Sequence, residues 1–207
     1  MANPTRDQKL ETLLAAAARV FAQQGYHRTS MRDLARAAGI SLAGVYYYVR
    51  SKEELLFLIQ SRNFEAVLAG MREALAGATD PVDRLVRFID NHLDYFVSHM
   101  SEMKVLSHEA GALSGEFLQQ VNEMKREYTR ALMDVLADLE RTHGPAHLNR
   151  RVAAYSLFGT MNWIYNWYDP MGDVGIEALS QQIARLFLGG YVGLPVSDAA
   201  LPRATAG

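Results

Sequence analysis

A chain of 207 residues, 49% hydrophobic and 21% charged, can bury a substantial core as one domain or two small ones. Zero cysteines exclude disulfides, thiolate metal sites and a cysteine nucleophile, and fit a reducing cytoplasm. The net charge of −2 conceals a polarity: residues 1–52 hold eight basic side chains (Arg6, Lys9, Arg19, Arg28, Arg32, Arg36, Arg50, Lys52) against three acids (Asp7, Glu11, Asp33), which leaves the remainder acidic and suits a polyanion at one end only.

The chain reads as helical nearly throughout. From Asp7 to Gln24, Leu10, Leu13, Leu14, Ala17, Val20 and Phe21 recur on one helical face, and Gly25 ends the run. Thr29 and Ser30 are capping residues, with Asp33 three positions after Ser30, so a short second helix runs through Leu34 and Ala35 to Ala38. Gly39 supplies the left-handed backbone that leaves a helix at once, and Ser41 caps the next helix two residues on. So short a connection holds two helices at a steep angle, the arrangement of a helix-turn-helix. Leu34, Ala35, Ala38, Ile40 and Val45 can bury between them. Ala43 and Gly44 are too small to shield the third helix's backbone, and Tyr46, Tyr47 and Tyr48 point in successive directions around it. At least one tyrosine should point outward; if one packs inward, Tyr46 or Tyr47 is the candidate.

Ser51-Lys52-Glu53-Glu54 forms a capping box that opens a long helix through Leu75, and Gly77 to Pro81 breaks the chain. A fifth helix follows from Val82 to about Met100, a shorter one over 101–110, and, after Gly111 to Gly115, a long amphipathic one through Leu139 that His143-Gly144-Pro145 ends. From Leu148 to Tyr168 apolar and aromatic residues surround the helix instead of forming a stripe. That helix should be buried on nearly all sides, which in so small a body calls for a second subunit. Asp169-Pro170-Met171-Gly172 closes it, and Ile176 to Val192 supplies a ninth helix, its end weakened by Gly189, Gly190 and Gly193. The expectation is an all-α chain with a helix-turn-helix domain over 1–52, a second helical domain over 53–194 and a disordered tail over 195–207. With no apolar stretch near 18 residues and no leader-like start, a soluble cytoplasmic protein without membrane association is expected.

Ala15 to Phe21, Gly25-Tyr26-His27-Arg28-Thr29-Ser30, Leu34-Ala35, Ala38-Gly39-Ile40-Ser41, Val45-Tyr46-Tyr47-Tyr48-Val49 and Ser51 to Leu55 resemble the DNA-binding region of TetR-family transcriptional regulators. Val49 departs from the commonest form, in which phenylalanine is frequent; it bears on packing, not on role. The resemblance implies an Ω-shaped homodimer joined through the last two helices. It also implies a small-molecule effector in the C-terminal domain and repression relieved when that effector arrives. By the same resemblance Leu42, Ala43 and Gly44 lie at the floor of the major groove, Tyr46 and Tyr48 reach phosphates or base edges, and Tyr47 flanks them. Lys52, Thr29 and Ser30 would grip phosphates at helix starts. Arg32 is placed to read guanine or to contact a phosphate. A dimer presents two such heads about 34–36 Å apart, so the double-stranded operator should be an approximate palindrome.

Gly159 to Tyr168, GTMNWIYNWY, resembles a segment of TetR-family repressors that control fatty acid or sterol degradation and answer to acyl-CoA thioesters. Phe96, Met100, Met103, Met124, Tyr128, Phe158, Asn162 and Trp163 would offer an adaptable apolar cavity with a few polar anchors. Lys104, Lys125, Arg126 and Arg130 are nearby cations for a phosphate-bearing ligand. Ordinary core and dimer interface is the competing reading for each of these residues. His92 and His99 are seven apart, close enough to Glu102 or His108 to consider a metal, although satisfied core or pocket histidines explain them more simply. Phosphate-binding GxxxxGK, GxSxG and dinucleotide fingerprints are missing, so no catalytic residue, metal or cofactor is assigned and an enzyme is not expected. Other readings are a regulator of drug efflux or aromatic-compound genes with a different hydrophobic ligand, an all-helical carrier or enzyme, and an architectural DNA binder.

Overall fold

The computed structural model describes residues 5–144 and 148–192. The tail expected to be disordered lies outside them, as do Pro145, His147 and Gly193. Among the described residues the chain is all-α: α1 (Arg6–Gln24), α2 (Met31–Ala38), α3 (Leu42–Tyr48), α4 (Lys52–Leu75), α5 (Pro81–Ser98), α6 (Met100–His108), α7 (Gly115–His143), α8 (Arg150–Asn162) and α9 (Ile176–Val192). Short 3-10 turns occupy Ala110–Ala112 and Trp163–Asn166.

Side-chain caps set most helix starts. Thr5 and Gln8 close a capping box on α1, one that the reading of the sequence missed. Ser30 and Asp33 close the expected box on α2. On α4 the box is only half formed: Ser51 Oγ accepts from Glu54 N–H, but the Glu54 carboxylate reaches past Ser51 to the N–H of Arg50. Asp80 caps α5, where Pro81 stands in the first turn and its missing N–H costs nothing.

Two clusters of buried side chains meet inside α4. The first joins Leu13, Ala17 and Phe21 of α1 to Leu34, Val45 and Val49, and takes in Leu55, Leu56 and Ile59 from the start of α4. It also draws in Val105, Leu113 and Val121, which lie more than forty residues further along the chain. The second begins at Val67 and Leu68 and is built around α5, whose Leu85, Phe88, Ile89, Leu93 and Phe96 are all 0% exposed. With α4, α7 and α9 packed against it, α5 is the centre of the C-terminal body. Each such side chain contributes about 1.5–3 kcal/mol by leaving water.

The Leu148–Tyr168 segment differs from the expected single enclosed helix. α8 ends at Asn162 in a 3-10 turn, with Ala154, Leu157, Phe158, Met161 and Ile164 turned inward. Val152, Tyr155, Trp163 and Trp167 remain 55–60% exposed on the single chain, as does Leu186 of α9 at 78%.

Candidate nucleic-acid interface and effector pocket

The reading head is built by short-range chemistry. Ser30 N–H and Oγ–H both donate to Asp33 Oδ2, at 3.0 and 2.6 Å, and these bonds hold the Asp33 carboxyl below its usual range. Gly39 sits at φ 66°, the left-handed turn that the sequence requires there. Ser41 Oγ accepts from Gly44 N–H at 3.0 Å, and Val45, fully buried, anchors α3 from beneath. Tyr46 and Tyr47 stand outward, 51% and 66% exposed, so the inward tyrosine is Tyr48, half-buried against the first core, and not Tyr46 or Tyr47. The Arg6 guanidinium lies 5.4 Å from the centroid of the Tyr47 ring, which brings a cation from the start of α1 onto the α3 surface. Arg32, Ser30 and Ala43 are exposed, while Leu42 and Gly44 are half-buried. Among the described residues no carboxylate pairs with Arg32.

Two of the residues expected to contact phosphates are bonded within the protein. Lys52 Nζ donates to the carbonyls of Tyr26 and Thr29, both at 2.9 Å, and lies 4.3 Å from the Tyr26 ring centroid. Two of its three N–H bonds therefore tie α4 to the loop before α2, so it acts as an internal clasp. Thr29 is 2% exposed, and its hydroxyl donates to Gly25 O at 2.8 Å, so it too serves the loop.

The head is bonded to the body through the chain following α6. Glu109 Oε1 accepts from Tyr26 N–H at 3.0 Å, and Gln60 Nε2 donates to Glu109 O at 3.3 Å. Glu53 Oε1 accepts from both the N–H and the hydroxyl of Ser114 at 2.7 Å. Tyr26 is pushed up from its ordinary pKa by burial first, then by the charges of Glu53 and Glu109.

The C-terminal body contains a largely apolar cavity of ≈ 280 Å³ between α4, α5, α6, α7 and α8. Of the eight expected lining residues, Met103, Tyr128, Phe158 and Asn162 line it. Phe96 is sealed in the core beside His92, Met100 and Met124 pack against the core, and Trp163 is 60% exposed; these four do not line the cavity. Sequence reasoning missed Phe64, Val67, Leu106 and Tyr155 as lining residues, and named Lys125 only as a neighbouring cation. His92 supplies the polar floor, with Nδ1 3.1 Å from the Tyr128 hydroxyl and Nε2 3.2 Å from Asn162 Oδ1. Burial holds it neutral, its pKa lowered from 6.5 to about 4, with the Asn162 hydrogen bond opposing in part. It is a satisfied pocket histidine. His99 points elsewhere, with Nδ1 2.9 Å from Tyr95 O and its ring stacked on Tyr95. A wider crevice of ≈ 570 Å³ separates α1 from α4, but Glu11, Arg62, Glu65 and Glu102 make it polar, and Arg62 bridges it to Glu11. The smaller cavity is the more apolar of the two.

Residues 13–59 match the family model of bacterial regulatory proteins of the tetR family, and residues 78–191 match that of the tetracyclin repressor-like C-terminal domain. The chain belongs to the TetR family. It is a DNA-binding transcriptional regulator. The HTH-type transcriptional activator FasR of Mycolicibacterium smegmatis is 32% identical over 182 residues, 85% of this chain and 81% of that protein. The HTH-type transcriptional repressor KstR2 of Mycobacterium tuberculosis is 24% identical over 86% of this chain and 90% of its own. Among solved structures, a TetR-family regulator from Bordetella parapertussis superposes with a TM-score of 0.82 at 29% identity, covering 91% of this chain and 98% of the other. AibR, solved in complex with isovaleryl coenzyme A and operator DNA, superposes at 0.76 with 25% identity, covering 89% and 98%. None of the described helices is long and apolar enough to cross a membrane.

Proposed function

We propose that this TetR-family regulator is a repressor that binds a palindromic operator as a homodimer and is released when a hydrophobic acyl thioester enters the cavity beside His92. The observation that carries this reading is the double role of α6. Met103, Leu106 and Ser107 face the cavity, while Val105 joins the N-terminal core and Glu109, one residue past the helix, holds the N–H of Tyr26. A ligand that moves α6 therefore moves the loop that leads into α2. The relatives support the effector class: AibR was solved with an acyl-CoA on board, and one relative is the fatty acid metabolism regulator protein of Bacillus subtilis, 24% identical over 88% of this chain.

The dimer is proposed through α8 and α9, where Val152, Tyr155 and Leu186 expose apolar surface that a second copy would cover. Arg32, Tyr46 and Tyr47 face DNA from α2 and α3, with Leu42, Ala43 and Gly44 allowing close approach. Selecting duplexes from a random pool, with and without octanoyl-CoA, tests the proposal. It requires enrichment of an inverted repeat with half-sites one helical turn apart, and loss of that enrichment when the thioester is present.

Glu109→Gln should leave effector affinity nearly unchanged and weaken effector-driven operator release roughly three- to tenfold, because it thins the bond between α6 and Tyr26 without touching the cavity. Release measured by anisotropy at fixed salt checks this; release equal to that of the parent would remove Glu109 from the coupling.

A further inference from the structure

The helix that the head offers to DNA carries no charge of its own. α3 reads Leu-Ala-Gly-Val-Tyr-Tyr-Tyr, so the cations that answer the phosphates beside it must come from its neighbours. Lys52 spends two of its three N–H bonds on the carbonyls of Tyr26 and Thr29, and Arg36 pairs with Asp33 at 3.5 Å. Arg6 is differently placed. It is exposed, forms no ion pair among the described residues, and lays its guanidinium over the Tyr47 ring of α3.

Tyr47 is 66% exposed, yet its ring has a fixed neighbour on the protein side. It meets Tyr48 edge-on, with centroids 5.0 Å apart at 88°, and Tyr48 packs against the N-terminal core. From the core outward the order is Tyr48, Tyr47, Arg6, so rings and not a carboxylate hold the cation at the surface of α3. That difference matters for charge: a salt bridge would neutralise the guanidinium, whereas a ring face leaves it positive and leaves its N–H groups for a second partner. The position is also costly to the protein alone. Arg6 is the first residue of α1, which Thr5 and Gln8 cap, and a cation there opposes the helix dipole, whose positive end favours an acid. A phosphate brought to the same place is attracted by the dipole and the guanidinium together.

We propose that Arg6 and Tyr47 form one phosphate clamp at the edge of the DNA interface. The Tyr47 ring positions the guanidinium, and Arg6 donates to a backbone phosphate of the duplex, so α1 contacts DNA as well as supporting α2 and α3. A contact of this kind adds affinity on every sequence and reads none.

Anisotropy titrations of the full chain test the clamp, on a duplex enriched from a random pool and on a random-sequence duplex of equal length, from about 50 to 200 mM salt. Arg6→Ala should weaken both by roughly three- to tenfold. The slope of log affinity against log salt should become shallower by about one unit for each subunit bound. Its melting temperature should stay within about 2 °C of the parent's, since nothing buried is lost. In a Tyr47→Ala background the same substitution should cost less than about twofold, and in a Tyr47→Phe background, which keeps the ring, the full cost should reappear. Parental affinity and salt slope in Arg6→Ala, or an Arg6→Ala cost that is equal with and without the Tyr47 ring, overturns the clamp. A loss confined to the enriched duplex makes Arg6 a base reader and overturns the phosphate assignment.

Discussion

Tyr46→Ala and Lys52→Met should both cripple operator binding, and by different routes. Tyr46 is half exposed on α3, so its loss should remove about 1–3 kcal/mol of binding, roughly five- to hundredfold in affinity. The melting temperature should stay within about 2 °C, as for other surface substitutions. Lys52 holds two backbone carbonyls of the loop that launches α2, one of them belonging to the buried Thr29. Removing its ammonium should cost about 2–3 kcal/mol of stability, roughly 5–10 °C in Tm. The slope of log affinity against log salt should remain that of the parent, because no phosphate contact is lost. A slope shallower by about one unit with an unchanged Tm would return Lys52 to the DNA surface.

The second large effect concerns His92, which is neutral and fully enclosed in the folded chain, with a pKa lowered to about 4 against 6.5 when solvated. Between those values the unfolded chain binds the additional proton, so stability rises with pH across the window. The contribution is complete above pH 6.5 and is lost as pH falls toward 4; it amounts to about 3 kcal/mol for a shift of this size. His92→Gln keeps a donor and an acceptor in the floor but does not titrate there. Its loss of stability between pH 6.5 and 4 should be smaller than the parent's by about that amount. Parallel urea-melt profiles for the two proteins would show that His92 is not buried as described.

The head of the molecule was legible because short-range rules wrote it. Caps at Ser30 and Ser41, a left-handed Gly39 and the buried Val45 each act within four residues, and each stands where the sequence places it. The Lys52 clasp was hidden because its partners are backbone carbonyls 23 and 26 residues away, and a carbonyl has no sequence signature. Tyr48 took the inward place because α3 is anchored by Val45 and ends at the buried Val49, an orientation that three consecutive tyrosines do not reveal. Residue type alone could not separate pocket from core in the C-terminal body. Phe96 and Phe158 are both aromatic and both buried, yet only Phe158 meets the cavity, because that depends on which α5 and α8 faces oppose each other. The half-box at Ser51 and the break in α8 at Asn162 are local choices that competing acceptors and a following turn decided.

A ligand in the C-terminal cavity and an operator at the head should bind different states of the same α6. By linkage, the factor by which octanoyl-CoA lowers operator affinity must equal the factor by which operator lowers octanoyl-CoA affinity. The measurement is the Kd for octanoyl-CoA by titration, on the free protein and on the protein saturated with its selected duplex, at one salt concentration. The thioester Kd should be at least fivefold weaker on the DNA complex, a coupling of roughly 1 kcal/mol or more. Equal Kd values in the two titrations would mean that the cavity and the reading head do not communicate.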